Sequence, residues 1–328
     1  MNGRYLAIVC AVMVGVLLVP VGVSGQILAG GNSWEPVRTP WGDPDLQGIW
    51  TNTTTTPLQR PDDLGDQVLL TDEERAARDE AGDRAREARG VDREVASQTG
   101  ETGSYNNFWV ERGFRLTRTA LIVDPPSGKL PPLTPKEAMR RAGSEDYRNR
   151  DPNGPEDRNL YERCISRGMP GAMMPGFYNH NYQIFQTPGY VVILVEMIHD
   201  ARIIPLDGRP HANQEIRQWL GDSRGRWEGN TLVVETTNFT KVSGRALTVF
   251  GGSETTHLVE RFTRVDEGTI DYQFTLTDPT EYAQPWTAAI PMTNLEGVLF
   301  EYACHEGNYG LENILTGARA ADTEASSK

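Results

Sequence analysis

Five histidines, His180, His199, His211, His257 and His305, are the side chains here best suited to move a proton near neutral pH. Two stand beside carboxylates, as His199-Asp200 and His305-Glu306. Neighbours on a strand point to opposite faces, so neither dipeptide is an acid–base pair by itself. The richest constellation lies between His257 and Asp278. A hairpin turn centred on Glu267-Gly268 predicts Val265 opposite Ile270, Thr263 opposite Tyr272 and Val259 opposite Leu276, with Arg264 meeting Asp271 on the other face. In that alignment His257 and Arg261 share the apolar face with Val259, Val265, Ile270, Tyr272, Phe274 and Leu276. A guanidinium so placed must meet a carboxylate across the core or line a wet cavity that takes a polar or anionic ligand. The candidate catalytic groups are His257, His305 and Tyr272. The candidate ligand contacts are Arg261, His199, Tyr182, Trp227 and Glu306. The run from Phe177 to Tyr182, with Trp227, Tyr272 and Tyr309, offers an aromatic wall for a ring or sugar, or packs in the core.

Other chemistries find less support. Gly221-Asp222-Ser223-Arg224-Gly225 fits the G-x-S-x-G pattern of a nucleophile elbow, but a hairpin strand follows it where a helix is required. Phosphate-binding and dinucleotide-binding glycine motifs are absent, as are H-x-x-x-H and C-x-x-C spacings, so the patterns call for no metal and no cofactor. The formal net charge of −13 repels nucleic acid, which is held by Lys and Arg neutralising phosphates. The same charge disfavours anionic membrane surfaces.

The elements that must position these residues read as mainly β: an antiparallel, hairpin-built barrel or sandwich with peripheral helices. Gly48 to Thr51, Leu116 to Val123, Tyr182 to Gln186, Gly189 to Ile198, Ala201 to Leu206, Trp286 to Met292 and Leu299 to Cys304 are predicted strands. A two-residue turn at Gly229-Asn230 sets Trp227 against Leu232, Gly225 against Val234 and Arg224 against Glu235. Thr71 with Glu74 forms a capping box for a charged helix to about Arg89, and Thr134 caps a short helix over Pro135 to Ala142.

Residues 1–25 read as a cleavable signal peptide. Arg4 supplies the basic start, Tyr5 to Val23 is apolar, and Val23, Ser24 and Gly25 resemble a cleavage site. After cleavage no stable membrane insertion is expected. Residues 26–180 form an irregular and helical part that packs on the barrel, and 181–328 its β core, together one domain. With Cys10 removed, Cys164 and Cys304 remain, and in an oxidising compartment they form one disulfide or leave a thiol beside His305.

Three stretches, Trp41 to Trp50, Asp222 to Val234 and Tyr302 to Gly310, resemble a large group of uncharacterised exported bacterial proteins. The resemblance implies export and assigns no activity to any residue. Gly48-Ile49-Trp50 also resembles the first-strand motif of lipocalin-type barrels. These readings point to a periplasmic or secreted barrel that binds a small molecule in an apolar cavity with a cationic group. The alternative is a cofactor-independent lyase, isomerase or hydrolase in the same cavity.

Overall fold

A computed structural model describes residues 34–99, 110–111, 113–142, 151–240 and 253–327, without the side chains of 89–99. The signal segment and Cys10 lie outside the described residues. Eleven strands form one antiparallel sheet: β1 (Gly48–Thr51), β2 (Ile122–Asp124), β3 (Asn181–Thr187), β4 (Tyr190–Val195), β5 (Ala201–Pro205), β6 (Asp222–Glu228), β7 (Thr231–Thr237), β8 (His257–Arg264), β9 (Thr269–Thr277), β10 (Trp286–Ala289) and β11 (Met292–Asn294). Their order is β5-β4-β3-β1-β11-β9-β8-β7-β6, and β10 joins β9 to β2.

β10 and β11 are one strand interrupted. Trp286 faces Leu276, Met292 faces Ile270, and between them the Ile290 N–H donates to Tyr272 O at 2.8 Å, all in a single alignment. Pro291 has no N–H to continue the ladder, so the line breaks there. Its first half pairs with β2 and its second with β1. The sheet then curls until β5 and β6 nearly close a barrel. A Cβ on Gly225 would fall 2.5 Å from a Leu206 methyl and 2.9 Å from an Ile204 methyl, so a larger residue at that seam would have to push these side chains aside.

Side chains fill the interior. Trp50, Tyr182, Phe262, Tyr272, Phe274 and Trp286 are each at most 1% exposed. Phe262 stacks on Tyr272 at 4.7 Å, and Phe274 meets Trp286 edge-on at 5.2 Å. Barrels of this size have interiors just wide enough for such filling.

The first hairpin has the expected register: Trp227 faces Leu232, Gly225 faces Val234 and Arg224 faces Glu235. The second differs by one residue. Val265 N–H donates to Thr269 O at 3.0 Å, leaving a three-residue loop, Asp266 to Gly268, which the Asp266 carboxylate braces by accepting the Gly268 N–H at 2.8 Å. Phe262 therefore faces Tyr272, Glu260 faces Phe274 and Leu258 faces Leu276. A one-residue slip exchanges the faces of a strand. Leu258, Glu260 and Phe262 point inward, while His257, Val259 and Arg261 point outward.

The expectation of an inward Arg261 is thereby corrected. Its guanidinium is 45% exposed and pairs with Glu228 at 3.0 Å, and His257 Nε2 meets Glu235 at 2.6 Å. Both belong to an outer ladder in which Arg226 links Glu228 and Glu235 at 2.9 and 3.7 Å. The larger apolar side chains decide the face, because burying Leu258 and Phe262 removes more apolar area from water than burying Val259 and Val265.

α1 (Asp72–Thr99) starts with the expected reciprocal caps: Glu74 N–H to Thr71 Oγ at 3.2 Å and Thr71 N–H to the Glu74 carboxylate at 2.8 Å. It runs past Arg89 to Thr99. α2 (Pro135–Ala142) lies where expected, with Glu137 N–H donating to Thr134 Oγ at 3.3 Å. Between Leu116 and Val123 only Ile122 onward is strand, and Leu299 to Cys304 forms none. β1 already occupies the free edge of β11, and the chain after Gly297 leaves the sheet for the disulfide with Cys164. α3 (Tyr309–Ser326) is the last described element. Trp34–Lys328 is one compact unit, and no helix among the described residues is long and apolar enough to cross a membrane.

The inward glutamate needs a cation, and β5 supplies it. Arg202 and Glu260, 2% and 0% exposed, form a two-pronged pair with one arm at 3.0 Å, and Tyr272 Oη–H donates to the same carboxylate at 3.0 Å. Burial opposes the charge on Arg202, but the adjoining carboxylate outweighs it and holds the guanidinium above its ordinary pKa. Burial, then Glu260, push the Tyr272 phenol well above its ordinary value, so it stays a donor. Removing one partner strands the other charge. Arg202→Met alone should cost about 3–5 kcal/mol in urea unfolding, and Arg202→Met with Glu260→Leu should recover most of it; equal losses in both would show that the pair is not the cause.

Candidate functional site at one end of the barrel

β3 begins, β4 ends and β5 begins at the same end of the barrel. The segment from 151 to 176, rich in Gly and Pro, forms no strand, and its Met169, Ala172, Met173 and Met174 are buried as a plug in that end. Asn52, just after β1, donates from Nδ2 to Met173 O at 2.8 Å and holds the plug. The disulfide Cys164–Cys304 brings the chain from Tyr302 to Asn308 onto this end. Asn308 then acts twice: its Nδ2 donates to Glu162 O at 2.9 Å, and its Oδ1 accepts the Leu311 N–H at 3.2 Å to cap α3.

The backbone here is strained. Cys164, Asn179, Ile198 and His199 have φ of +56, +53, +64 and +51°, four of the five non-glycine positive φ values among the described residues. For β-branched Ile198 this is a real outlier. Such conformations persist only where the surroundings over-determine them, and they gather at functional sites. At this one they carry the chain over the end of the hairpin and set His199 beside the C-terminal stretch.

Three layers of side chains result. At the rim His199 and His305 are exposed, with ring centres 6.4 Å apart. His199 Nδ1–H donates to Tyr302 O at 3.0 Å, which leaves Nε2 as an acceptor. Beneath them lie half-buried phenols: Tyr161 and Tyr178 share a hydrogen bond of 3.2 Å, Tyr178 stacks on Tyr302 at 6.4 Å, and Phe177 meets Tyr178 edge-on at 4.6 Å. Burial, then hydrogen bonds with Tyr161 and Tyr302, raise the Tyr178 pKa, so it stays protonated. At the floor is buried His180. Its Nδ1–H donates to Met174 O at 2.9 Å, and its Nε2 accepts from Arg167 Nη1 at 2.6 Å. Burial, then the charge of Arg167, depress its pKa to about 3. A neutral ring is what this geometry requires, since an imidazolium would aim an N–H at the guanidinium. Arg167 also lies over the Tyr161 ring at 5.3 Å and meets no carboxylate within 4.0 Å among the described residues. Beside the rim, burial raises the Asp200 pKa against the opposing hydrogen bond from Ser166 at 3.1 Å.

Of the residues singled out from sequence, the structure brings His199 and His305 together here, with exposed Glu306 next in the chain. Tyr182 lies below, fully buried, with the Asn52 side chain beside its hydroxyl. Tyr272 belongs to the Arg202–Glu260 pair in the core. Trp227 is half-buried on β6, and His257 and Arg261 lie on the outer ladder. Ser223 bonds Thr236 Oγ at 2.9 Å inside a strand, not on an elbow. Tyr161, Arg167 and Tyr302 are not among the residues singled out from sequence; their signals are proximity in sequence to Cys164 and Cys304 and, for Tyr302, its place in the stretch from Tyr302 to Gly310. Among the described residues no group of three or more His, Cys, Asp or Glu could hold a metal ion. No known family model, curated protein or solved structure matches this chain.

Neutral His180 makes the folded state sensitive to acid. Its pKa is about 3 folded and 6.5 unfolded, so between these values the unfolded chain holds the extra proton. Its contribution is complete above pH 6.5 and falls by up to about 1.4 kcal/mol per pH unit toward pH 3. His180→Gln should flatten that part of the stability–pH curve in urea unfolding from pH 4 to 7 relative to the native sequence; parallel curves would refute it. The disulfide closes a loop with a sequence separation of 140. Replacing both cysteines with serine should cost about 3–5 kcal/mol in guanidinium unfolding, mostly through the unfolded chain.

Proposed function

We propose that this is an exported protein that binds a small, ring-bearing molecule at the plugged end of its barrel. The observation that carries the reading is the run of left-handed residues, above all Ile198 and His199, that gathers imidazoles and phenols at one place. The aromatic packing of the interior argues for a ligand at the end of the barrel, not within its lumen. The phenols and His199 offer donors and an acceptor beside ring faces, the mixture that orients a ligand in an otherwise apolar site. Arg167, over Tyr161 and without a carboxylate, is the cationic group of the reading, in place of Arg261. Export is supported by the signal-like start, by the motifs resembling exported bacterial proteins, and by a disulfide, which persists in oxidising compartments.

Acid–base catalysis in the same place is the second reading, and Asp200 favours it. A carboxyl raised by burial beside an imidazole is suited to proton transfer.

Native mass spectrometry of protein purified from the periplasm of a producing cell separates these readings from a structural role. A bound small molecule is expected in the native sequence, reduced at least tenfold in Tyr302→Ala or His199→Ala and retained in Arg261→Ala and His257→Ala. Retention in all four would move the site elsewhere. Conversion of that molecule by the purified protein, lost in Asp200→Asn, would favour catalysis.

A further inference from the structure

A second site lies outside the barrel, where the stretch from Pro57 to Leu70 is laced to the residues before β2. Leu121 N–H donates to Pro57 O at 2.9 Å, Ile122 N–H to Leu58 O at 3.0 Å and Thr119 N–H to Val68 O at 3.0 Å. Between these segments is a cavity of about 140 Å³ whose walls include Val68, Ile122, Val123 and Pro126 and two arginines, Arg60 and Arg118. That is roughly ten times the volume that one water needs.

The charges in this cavity are unbalanced. Arg60 is 4% exposed, yet its hydrogen bonds go to neutral acceptors, from Nε to Thr119 Oγ and from Nη2 to Pro126 O, both at 3.0 Å. Arg118 reaches only Ala289 O, at 3.4 Å. Neither forms an ion pair within 4.0 Å among the described residues. Asp62, close in sequence to Arg60, is paired with Lys129 at 2.5 Å, and Asp271 acts on Arg118 without reaching pairing distance. A guanidinium removed from water without an anion is costly, and two beside one cavity are more so.

We propose that this cavity binds a small organic anion: a monocarboxylate with a compact apolar body, its carboxylate between Arg60 and Arg118 and its body on Val68, Ile122, Val123 and Pro126. The apolar walls argue against an inorganic anion, whose oxygens turned away from the two arginines would lose hydration with no donor to replace it.

Sodium benzoate is a suitable probe, titrated into the full mature protein and followed by backbone amide NMR and by thermal shift. Saturable shifts confined to residues 57–70 and 117–126 are expected, with a rise in Tm at saturation. Arg118→Met should weaken benzoate at least about tenfold, as loss of a charge-assisted hydrogen bond does, with a Tm close to that of the native sequence without ligand. Val123→Asp, which places a competing carboxylate at the half-exposed rim, should weaken it without touching either arginine. Benzyl alcohol, lacking the charge, should not bind. The proposal is overturned if benzoate does not saturate, if Arg118→Met and Val123→Asp both bind it as well as the native sequence, or if sulfate binds as tightly as benzoate.

Discussion

A carboxylate sealed inside the barrel constrains most of what surrounds it. Glu260 points inward from β8, where an unpaired charge would cost several kcal/mol. Its partner comes from across the interior: Arg202 on β5, at the far end of the sheet order, with Tyr272 on β9 as a second donor. β5 and β6 are the two edges of the sheet and are joined by no ladder. The pair therefore ties β5 to β8 and β9 across the seam that backbone hydrogen bonds leave open. It also fixes which face of β8 is inside. Once Glu260 is inward, Arg261 and His257 must be outward, and the outer ladder with Glu228 and Glu235 follows.

The two long hairpins show how far patterning reads the fold and where it stops. In the first, one alternation places Trp227, Leu232 and Val234 on a face and the other places Arg224, Arg226 and Glu235, so only one alignment is sensible and the sequence predicts it residue by residue. In the second, each alternation of β8 brings polar groups with its apolar ones: Val259 and Val265 come with His257 and Arg261, Leu258 and Phe262 with Glu260 and Arg264. Simple polarity does not separate these, and the choice passes to turn length and side-chain size. An Asp266 that accepts the Gly268 N–H favours the three-residue loop, and Leu with Phe outweighs Val with Val. The requirement that an inward charge find a partner was correct; it applied to the neighbouring residue. α3 was legible in principle, with Leu311, Ile314, Leu315 and Ala318 at helical spacing behind the Asn308 cap.

The site was less legible than the fold for a different reason. Helix caps and hairpins are local, and Thr71 with Glu74 or Thr134 with Pro135 can be read within four residues. The end of the barrel is assembled from Tyr161 and Arg167, from Tyr178 and His180, from His199, and from Tyr302 and His305. These segments have no periodic pattern, and the last is brought to the others across a sequence separation of 140 by the disulfide. A cysteine pair announces that two distant segments meet, but not which neighbouring side chains face each other. Left-handed residues such as Ile198 are also invisible beforehand, because propensity argues against them.

The filled interior bears on where a ligand can act. In a small barrel whose lumen is occupied by Trp50, Tyr182, Phe262, Tyr272, Phe274 and Trp286, entry of a ligand requires displacing close-packed aromatics and giving up the contacts they make. The places left are those where the fold has not resolved its own strain or charge. At the plugged end the unresolved quantity is backbone strain, held at Ile198 and His199 by the burial of Ile198 and the bond from His199 to Tyr302. Beside β2 it is charge, with two guanidiniums and no carboxylate at pairing distance among the described residues. The core ion pair is the contrast. Arg202 and Glu260 are deeply buried and charged, but each answers the other and Tyr272 donates to the same carboxylate, so the two charges balance inside the protein, with only the Arg202 Nε–H left without a partner among the described residues.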